Sequence, residues 1–354
     1  MSTARDVRRR TFRAVPLGLV AALMVAGCGV QGHAVDVPVT RPTLFPPDYT
    51  TAPTTSDNGV STSSVSTTTT KPPRPMPAVA KDGTPRAVIT ATGVVAAVAS
   101  VRADGAYVVV SPCGNQVAVT KATPVYGANV VLDPGHGGVE SGAVGPTGLK
   151  ESDLNLAVAQ AVKTRLEAAG ATVLLTRNGD TYMTLGSRTR VATSVKPDAF
   201  VSIHHNAAPN HDADTPGSEV YYQADDEKGS KRLAGLIEEE VRAALGAQKI
   251  RWGWFDDAGV KVRLNDRGSD YYGILRGAAG VSTALAELSY ISAPAEEALL
   301  RTPSFQQVEA GAVARAIVRF LTTDDPGSGF VGPSQRKEEA TGGGPAGCVE
   351  PALS

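Results

Sequence analysis

The sequence predicts an α/β fold: a single mixed, mostly parallel sheet flanked by helices, preceded by a small β meander. Three observations predict it. Between residues 127 and 321 short apolar runs alternate with longer amphipathic ones, as strands and helices do when they follow one another. Residues 86–125 hold only valine-rich runs separated by turn residues. Aromatic residues are 5% of the chain against 42% hydrophobic overall, so the core is built mostly from small aliphatic side chains.

The elements follow in order. TGVVAAVASV, AYVVVSP and QVAVTK read as strands, with Asp104-Gly105 and Cys113-Gly114-Asn115 as turns. A meander of this size is marginal alone and is expected to lie against the larger unit. ANVVLDPG is an apolar strand that ends in turn residues. Ser152 is expected to cap the next helix, whose apolar positions are Leu154, Val158, Ala161, Val162 and Leu166, and Gly170 to end it. ATVLLTR, DAFVSIHHN, GSEVYYQ and TALAELSYIS read as strands; LAGLIEEEVRAALG and FQQVEAGAVARAIVRFL read as helices. Residues 127–321 thus form the main unit, and the Gly-rich residues 322–354 are expected to be a disordered tail.

The N-terminus has a different character. Arg8, Arg9, Arg10 and Arg13 lead into an apolar stretch from Ala14 to Ala26, too short for an ordinary membrane span and suited to an export signal. Val25-Ala26-Gly27-Cys28 resembles a bacterial lipobox. That resemblance implies a signal peptide over 1–27 and lipidation of Cys28. The protein would then be exported and lipid-anchored to the outer face of the cytoplasmic membrane or the cell envelope. An uncleaved anchor helix, or an ordinary signal peptide with a chance cysteine, is the alternative. Residues 28–82 read as a disordered linker: Pro, Ser and Thr fill 25 of the 40 positions from 38 to 77, which leaves too little apolar surface to offset chain entropy. Whether Cys113 and Cys348 pair is open at this level. A net charge of −1 gives no reason to expect a nucleic-acid partner.

Four residues far apart in sequence carry the chemistry: His136 in VVLDPGHGG, Glu151 in GLKESDLNL, His204 in AFVSIHHNA and Glu287 in TALAELSYIS. Two imidazoles and a carboxylate are a ligand set that Zn²⁺ accepts with one position left for water. A further carboxylate such as Glu287 could take and hand on that water's proton. Each residue also has a plainer reading. His136 could be a surface imidazole on a tight turn, and Glu151 a helix N-terminal carboxylate. Glu140 competes as a ligand, and His211 is expected to be exposed. His204 and His205 are adjacent on a strand, so only one can face the site. Glu287 could be half of an ion pair with Arg188 or Arg276, although a carboxylate inside an apolar strand is costly without a function. Trp252, Trp254 and Phe255 could line a substrate groove or simply pack a loop.

With these motifs assembled, residues 129–321 resemble the zinc-dependent N-acetylmuramoyl-L-alanine amidases of bacterial cell-wall turnover. The resemblance rests on VVLDPGHGG, the Glu of LKESDLNLAVA, SRTRVATSVKPDAFVSIHHNA and AELSYIS, in that order. Thr193 departs from the family's common Asn, and Ser282 stands near its frequent Pro. The resemblance implies that His136, Glu151 and His204, rather than His205, bind Zn²⁺. It implies that Glu287 is the catalytic carboxylate, and that Asp133, Asn206 and Arg188 orient ligands or substrate. The reaction implied is hydrolysis of the amide between N-acetylmuramic acid and L-Ala of the stem peptide, acting on peptidoglycan or muropeptides as a monomer. Two other classes compete: an amidase-like module that docks on wall material without cutting it, and a zinc peptidase cutting another stem-peptide bond. Retention of all four residues favours the amidase.

Overall fold

The computed structural model describes residues 72–207, 212–253, 258–331, 334–335, 339 and 347–354. The export signal, Cys28, most of the linker, His211, Trp254 and Phe255 lie outside the described residues.

Five strands come first: β1 (Ala87–Thr90), β2 (Val95–Val101), β3 (Tyr107–Val110), β4 (Gln116–Val119) and β5 (Ala122–Val125). They form one antiparallel sheet in the order β4-β3-β2-β1-β5. This corrects the single-sheet expectation in two ways. The unit is a sheet of its own, and it is more than a meander because β5 returns to pair with β1. Pro124 suits β5 to an edge, where a missing N–H breaks no ladder.

The remaining elements are β6 (Val130–Pro134), α1 (Glu151–Ala168), β7 (Val173–Leu175), α2 (Leu185–Val195), β8 (Ala199–Asn206), β9 (Asp212–Ala213), β10 (Glu219–Tyr222), α3 (Ser230–Gly246), β11 (Trp252–Gly253), β12 (Gly259–Lys261), β13 (Arg263–Leu264), α4 (Gly273–Arg276), β14 (Thr283–Tyr290), α5 (Pro294–Leu300), α6 (Pro303–Thr322) and β15 (Ser334–Gln335). A six-stranded sheet has the order β12-β10-β14-β8-β6-β7, and β9/β11 and β13/β15 are two-stranded ladders. β7, β6, β8 and β14 run parallel; β10 is antiparallel to β14 and parallel to β12.

Alternation along the strands divides the side chains between two layers. Val130, Leu132, Val201, Ile203, Ala284 and Ala286 pack with residues of α1, α3 and α6. Val131, Phe200, Tyr221 and Leu285 pack with residues of α2 and α4, and with Ala87, Val95 and Ala97 of the five-stranded sheet. The small sheet therefore covers the same face from which His204 projects. Among the described residues no helix is long and apolar enough to cross a membrane.

Two local expectations change. α1 has Lys150 at its N-cap with no side-chain cap bond, and Ser152 lies inside the first turn, buried. Glu151 and Asp153 in that turn favour the helix through its dipole instead. The tail expected to be disordered from residue 322 is anchored where it is described. Cys348 forms a disulfide with Cys113, Glu350 accepts hydrogen bonds from Ser111 and Asn115, and Leu353 is buried against Val88, Ala96 and Val109. Composition signals chain entropy but not a covalent bond that offsets it. The end of the linker docks as well: Arg74 N donates to Thr322 O and Asn129 Nδ2 to Pro77 O.

Candidate active site

The site forms at the carboxyl ends of β6, β8 and β14, the edge of an open α/β sheet where ligands gather. After β6 the chain turns back through Gly135-His136-Gly137. His136 takes φ 60, a left-handed conformation that costs a non-glycine residue about 1–2 kcal/mol. Arg188 overcomes that cost from below: Nη1 donates to Pro134 O at 2.8 Å and Nη2 to His136 O at 2.7 Å. Gly135 must lack a side chain, because a Cβ there would lie 2.1 Å from the His204 ring.

Glu151 opens α1 and is 4% exposed. Its Oε1 stands 3.1 Å from His136 Nε2 and 3.0 Å from His204 Nδ1. Its Oε2 accepts from Ala143 N at 2.9 Å, and Asn155, one turn further along α1, donates to Oε1 at 3.2 Å. One ligand atom from each of His136, Glu151 and His204 lies within 4.8 Å of the other two, so the three could hold a metal ion. Burial alone would push the Glu151 carboxyl up, but hydrogen bonds and charge from both imidazoles hold it far below its usual range. Burial, with the neighbouring His136, pushes His204 down against the pull of Glu151. A neutral imidazole has a lone pair to give a metal at neutral pH.

Glu287 is in register with His204 on the adjacent strand, so both side chains share a face. It lines the same cavity of about 450 Å³ as His136 and His204. Its Oε2 is buried and has no hydrogen-bond partner among the described residues. Burial, with the charges of Glu151 and Glu219, pushes its carboxyl well above the usual range. The ion pairs considered as alternatives are not made: Arg188 pairs with Asp133 at 2.8 Å, and Arg276 donates to the carbonyls of Asp270 and Tyr271.

The other sequence candidates take distinct places. Asp133 lies under the turn, accepting from Arg188, Thr176 and Ser202; those partners outweigh burial and hold its carboxyl below the usual range. Asn206 donates to Glu219 Oε2 at 3.2 Å and Tyr290 Oη at 3.3 Å and makes no hydrogen bond to His136, Glu151 or His204 among the described residues. Glu140 Oε2 is 3.9 Å from His136 Nδ1 on an exposed loop. His205 points into the helical layer, with Nδ1 2.7 Å from Asn155 Oδ1 and Nε2 3.4 Å from Glu309. Trp252 is 1% exposed and packs in that layer rather than lining a groove.

Several residues of the site escaped the sequence reading. Asn155 touches both Glu151 and His205, and its i+4 spacing from Glu151 was the available signal. Tyr182, Met183, Leu185, Tyr272 and Ile274 wall the cavity but come from segments with no motif. Glu219 pairs with the fully buried Lys261 at 3.0 Å, a pair that only the β10/β12 register creates.

The sequence profile of N-acetylmuramoyl-L-alanine amidases matches residues 130–319, more than half of the chain. The chain belongs to this amidase family. It is 35% identical over 214 residues to the uncharacterized protein YqiI of Bacillus subtilis (strain 168), covering 60% of this chain and 92% of that one. It is 41% identical over 149 residues to the N-acetylmuramoyl-L-alanine amidase LytC of the same strain, covering 42% of this chain but 28% of LytC. The solved structure of the N-acetylmuramoyl-L-alanine amidase AmiC2 of Nostoc punctiforme aligns with a TM-score of 0.45 at 31% identity, covering 54% of this chain and 96% of that one. The matched residues of this amidase include His136, Glu151, His204 and Glu287 but not the five-stranded sheet.

Proposed function

We propose that this amidase hydrolyses the amide between the lactyl group of N-acetylmuramic acid and L-Ala of the stem peptide, with zinc held by His136, Glu151 and His204. The carrying observation is the three-residue cluster beside a carboxylate, Glu287, which lines one cavity with His136 and His204 and whose buried Oε2 has no partner among the described residues. The donor set fits zinc. Separations of 3.0 and 3.1 Å from the shared Glu151 oxygen approach the roughly 3.3 Å edge of a tetrahedron with bonds of about 2 Å.

When bound, zinc supplies a Lewis acid for the scissile carbonyl and makes a water acidic enough to attack at neutral pH. Glu287 takes the proton of the attacking water and returns it to the L-Ala nitrogen as the C–N bond breaks. Its raised proton affinity suits a group that must both accept and give back a proton, and a dication nearby would oppose the push from Glu151 and Glu219. Asp133 and Arg188 hold the turn that carries His136. Met183, Leu185 and Ile274 give the cavity an apolar wall that limits water around the reacting bond.

The N-terminal reading adds the setting: a signal peptide over residues 1–27, a lipid on Cys28, and a linker through residue 82 that lets an anchored enzyme reach wall peptidoglycan. The test is to incubate the purified protein with peptidoglycan and muropeptides, with zinc and after chelation, and to weigh the products. Free stem peptides beginning with L-Ala, lost on chelation and regained with zinc, are expected. Cleavage elsewhere in the stem would replace this reading with a peptidase, and bound but uncut wall would replace it with a docking module.

A further inference from the structure

We infer that Arg177 is a positioning residue of the metal site, tying the His136 turn to the first turn of α1 and so fixing where His136 and Glu151 stand relative to each other. The inference rests on the zinc reading above. Arg177 follows β7 and is 2% exposed. Its Nε donates to Pro134 O at 2.9 Å, and its Nη2 donates to Gly135 O at 2.8 Å and to Ser152 O at 2.7 Å. Its Nη1 donates to Gly179 O at 3.0 Å. Pro134 and Gly135 immediately precede His136, and Ser152 immediately follows Glu151. One planar group therefore bonds backbone next to both metal-ligand candidates; Asn155 links the same two places more weakly, donating to Gly135 O at 3.3 Å and to the Glu151 side chain at 3.2 Å.

The arrangement is expensive, which argues against accident. Every hydrogen bond of this guanidinium goes to a backbone carbonyl, and among the described residues no carboxylate pairs with it. Burial, with the charge of Arg188 nearby, pushes its pKa down to about 10 against the pull of the more distant Asp133, Asp180 and Asp153 carboxylates, so it stays a cation at neutral pH. A buried charge without a contacting carboxylate carries a desolvation cost that its hydrogen bonds must offset. What these bonds fix is the turn with His136 at φ 60. Gly137 completes the case. A Cβ at that position would lie 2.9 Å from Arg177 Nε and 2.5 Å from Thr181 O, so the glycine after His136 makes room for the guanidinium.

Arg188 braces the same turn, but its removal would also leave Asp133 buried and unpaired. Arg177 gives the cleaner test because its loss leaves only carbonyls unsatisfied. Zinc affinity is measured on the full chain by competition with a chromogenic chelator, below the unfolding range of every variant. Arg177→Met is expected to weaken zinc binding about 10- to 100-fold, as loss of groups that orient ligands does, and Arg177→Lys by less. Val313→Ala, in the core of α6 and outside the turn and the site cavity, serves as a control: it is expected to lower Tm and leave zinc affinity unchanged. If Arg177→Met binds zinc within about twofold of wild type, the role is overturned while the zinc reading stands. If wild type itself takes up no zinc, the zinc reading falls and the role falls with it. If Arg177→Met does not fold, Arg177→Lys decides, and wild-type affinity in that variant overturns the role.

Discussion

The two sheets hold themselves together by different means. The carboxyl edge of the six-stranded sheet is crowded with buried polar groups: Asp133, Glu151, Asn155, Arg177, Arg188, His205 and Glu219 are all at most 4% exposed. The five-stranded sheet is held by small apolar side chains, by a tail residue packed on them, and by the Cys113–Cys348 disulfide. Polar groups are costly to bury unless fully bonded, so the first region is built for geometry at the expense of stability. The second is closed chiefly by apolar packing and a covalent bond, which are expected to act on stability. The two meet at the start of α2, where Thr184 N donates to Pro112 O and Ser187 Oγ donates to Ser111 O.

The largest effect belongs to the first region. Glu287→Gln is expected to lower kcat on muropeptides about 10²- to 10⁴-fold, the usual worth of a positioned proton carrier. The fold and zinc uptake should persist, because among the described residues the buried Oε2 has no hydrogen bond to lose. Retention of more than a tenth of wild-type turnover would move the proton transfer to another group. Next is the disulfide, which closes 235 residues of separation. Cys348→Ser should cost about 2–5 kcal/mol, read by urea unfolding, with zinc affinity unchanged. A parallel loss of zinc affinity would break the division between the regions.

The sequence made the first region legible and left the second half-written. His136, Glu151, His204 and Glu287 each sit in a short block whose spacing to glycine or to a strand is local; the structure brings His136, His204 and Glu287 to one cavity and sets Glu151 against the two imidazoles. Asp133 and Arg188 were legible as supports, but their mutual ion pair and its grip on Pro134 O come from contacts 54 and 55 residues apart. Arg177 had no signal because its partners are backbone carbonyls, which carry no residue identity. In the second region the strands of the valine-rich runs were legible. The return of β5 to β1 and the seating of Leu353 were not, because pairing of distant segments leaves no periodic trace. The described end of the tail differs from the expectation because composition carries no sign that Cys348 bonds Cys113 or that Leu353 is buried.

A third test concerns stability away from the catalytic groups. Glu296 on α5 accepts from Gly253 N and Tyr290 N, yet burial wins and pushes its pKa up to about 7. With the unfolded value near 4.5, the folded state holds its proton more tightly. That stabilisation is complete below pH 4.5 and is lost as pH rises to about 7, roughly 3 kcal/mol over the window. The difference between Glu296→Gln and wild type should follow that curve in unfolding free energy measured from pH 4 to 8. A flat difference would mean that Glu296 ionises in the fold as it does in water.

The smallest effect probes the junction between the regions. Thr184 caps α2: its Oγ1 accepts from Ser187 N at 3.2 Å and donates to Ser187 Oγ at 2.9 Å. Thr184→Ala should cost about 1 kcal/mol, the ordinary worth of such a cap. Its neighbours Met183 and Leu185 line the cavity, while Arg188, one turn on, holds the His136 turn through two carbonyls, Pro134 O and His136 O, and through Asp133. A frayed start of α2 should therefore loosen the apolar wall before it disturbs the proposed metal ligands. The expected signature is a raised KM for muropeptides with zinc affinity and kcat near wild type. If zinc affinity falls instead, the small sheet supports the metal site as well as the wall, and the polar edge does not hold its geometry alone.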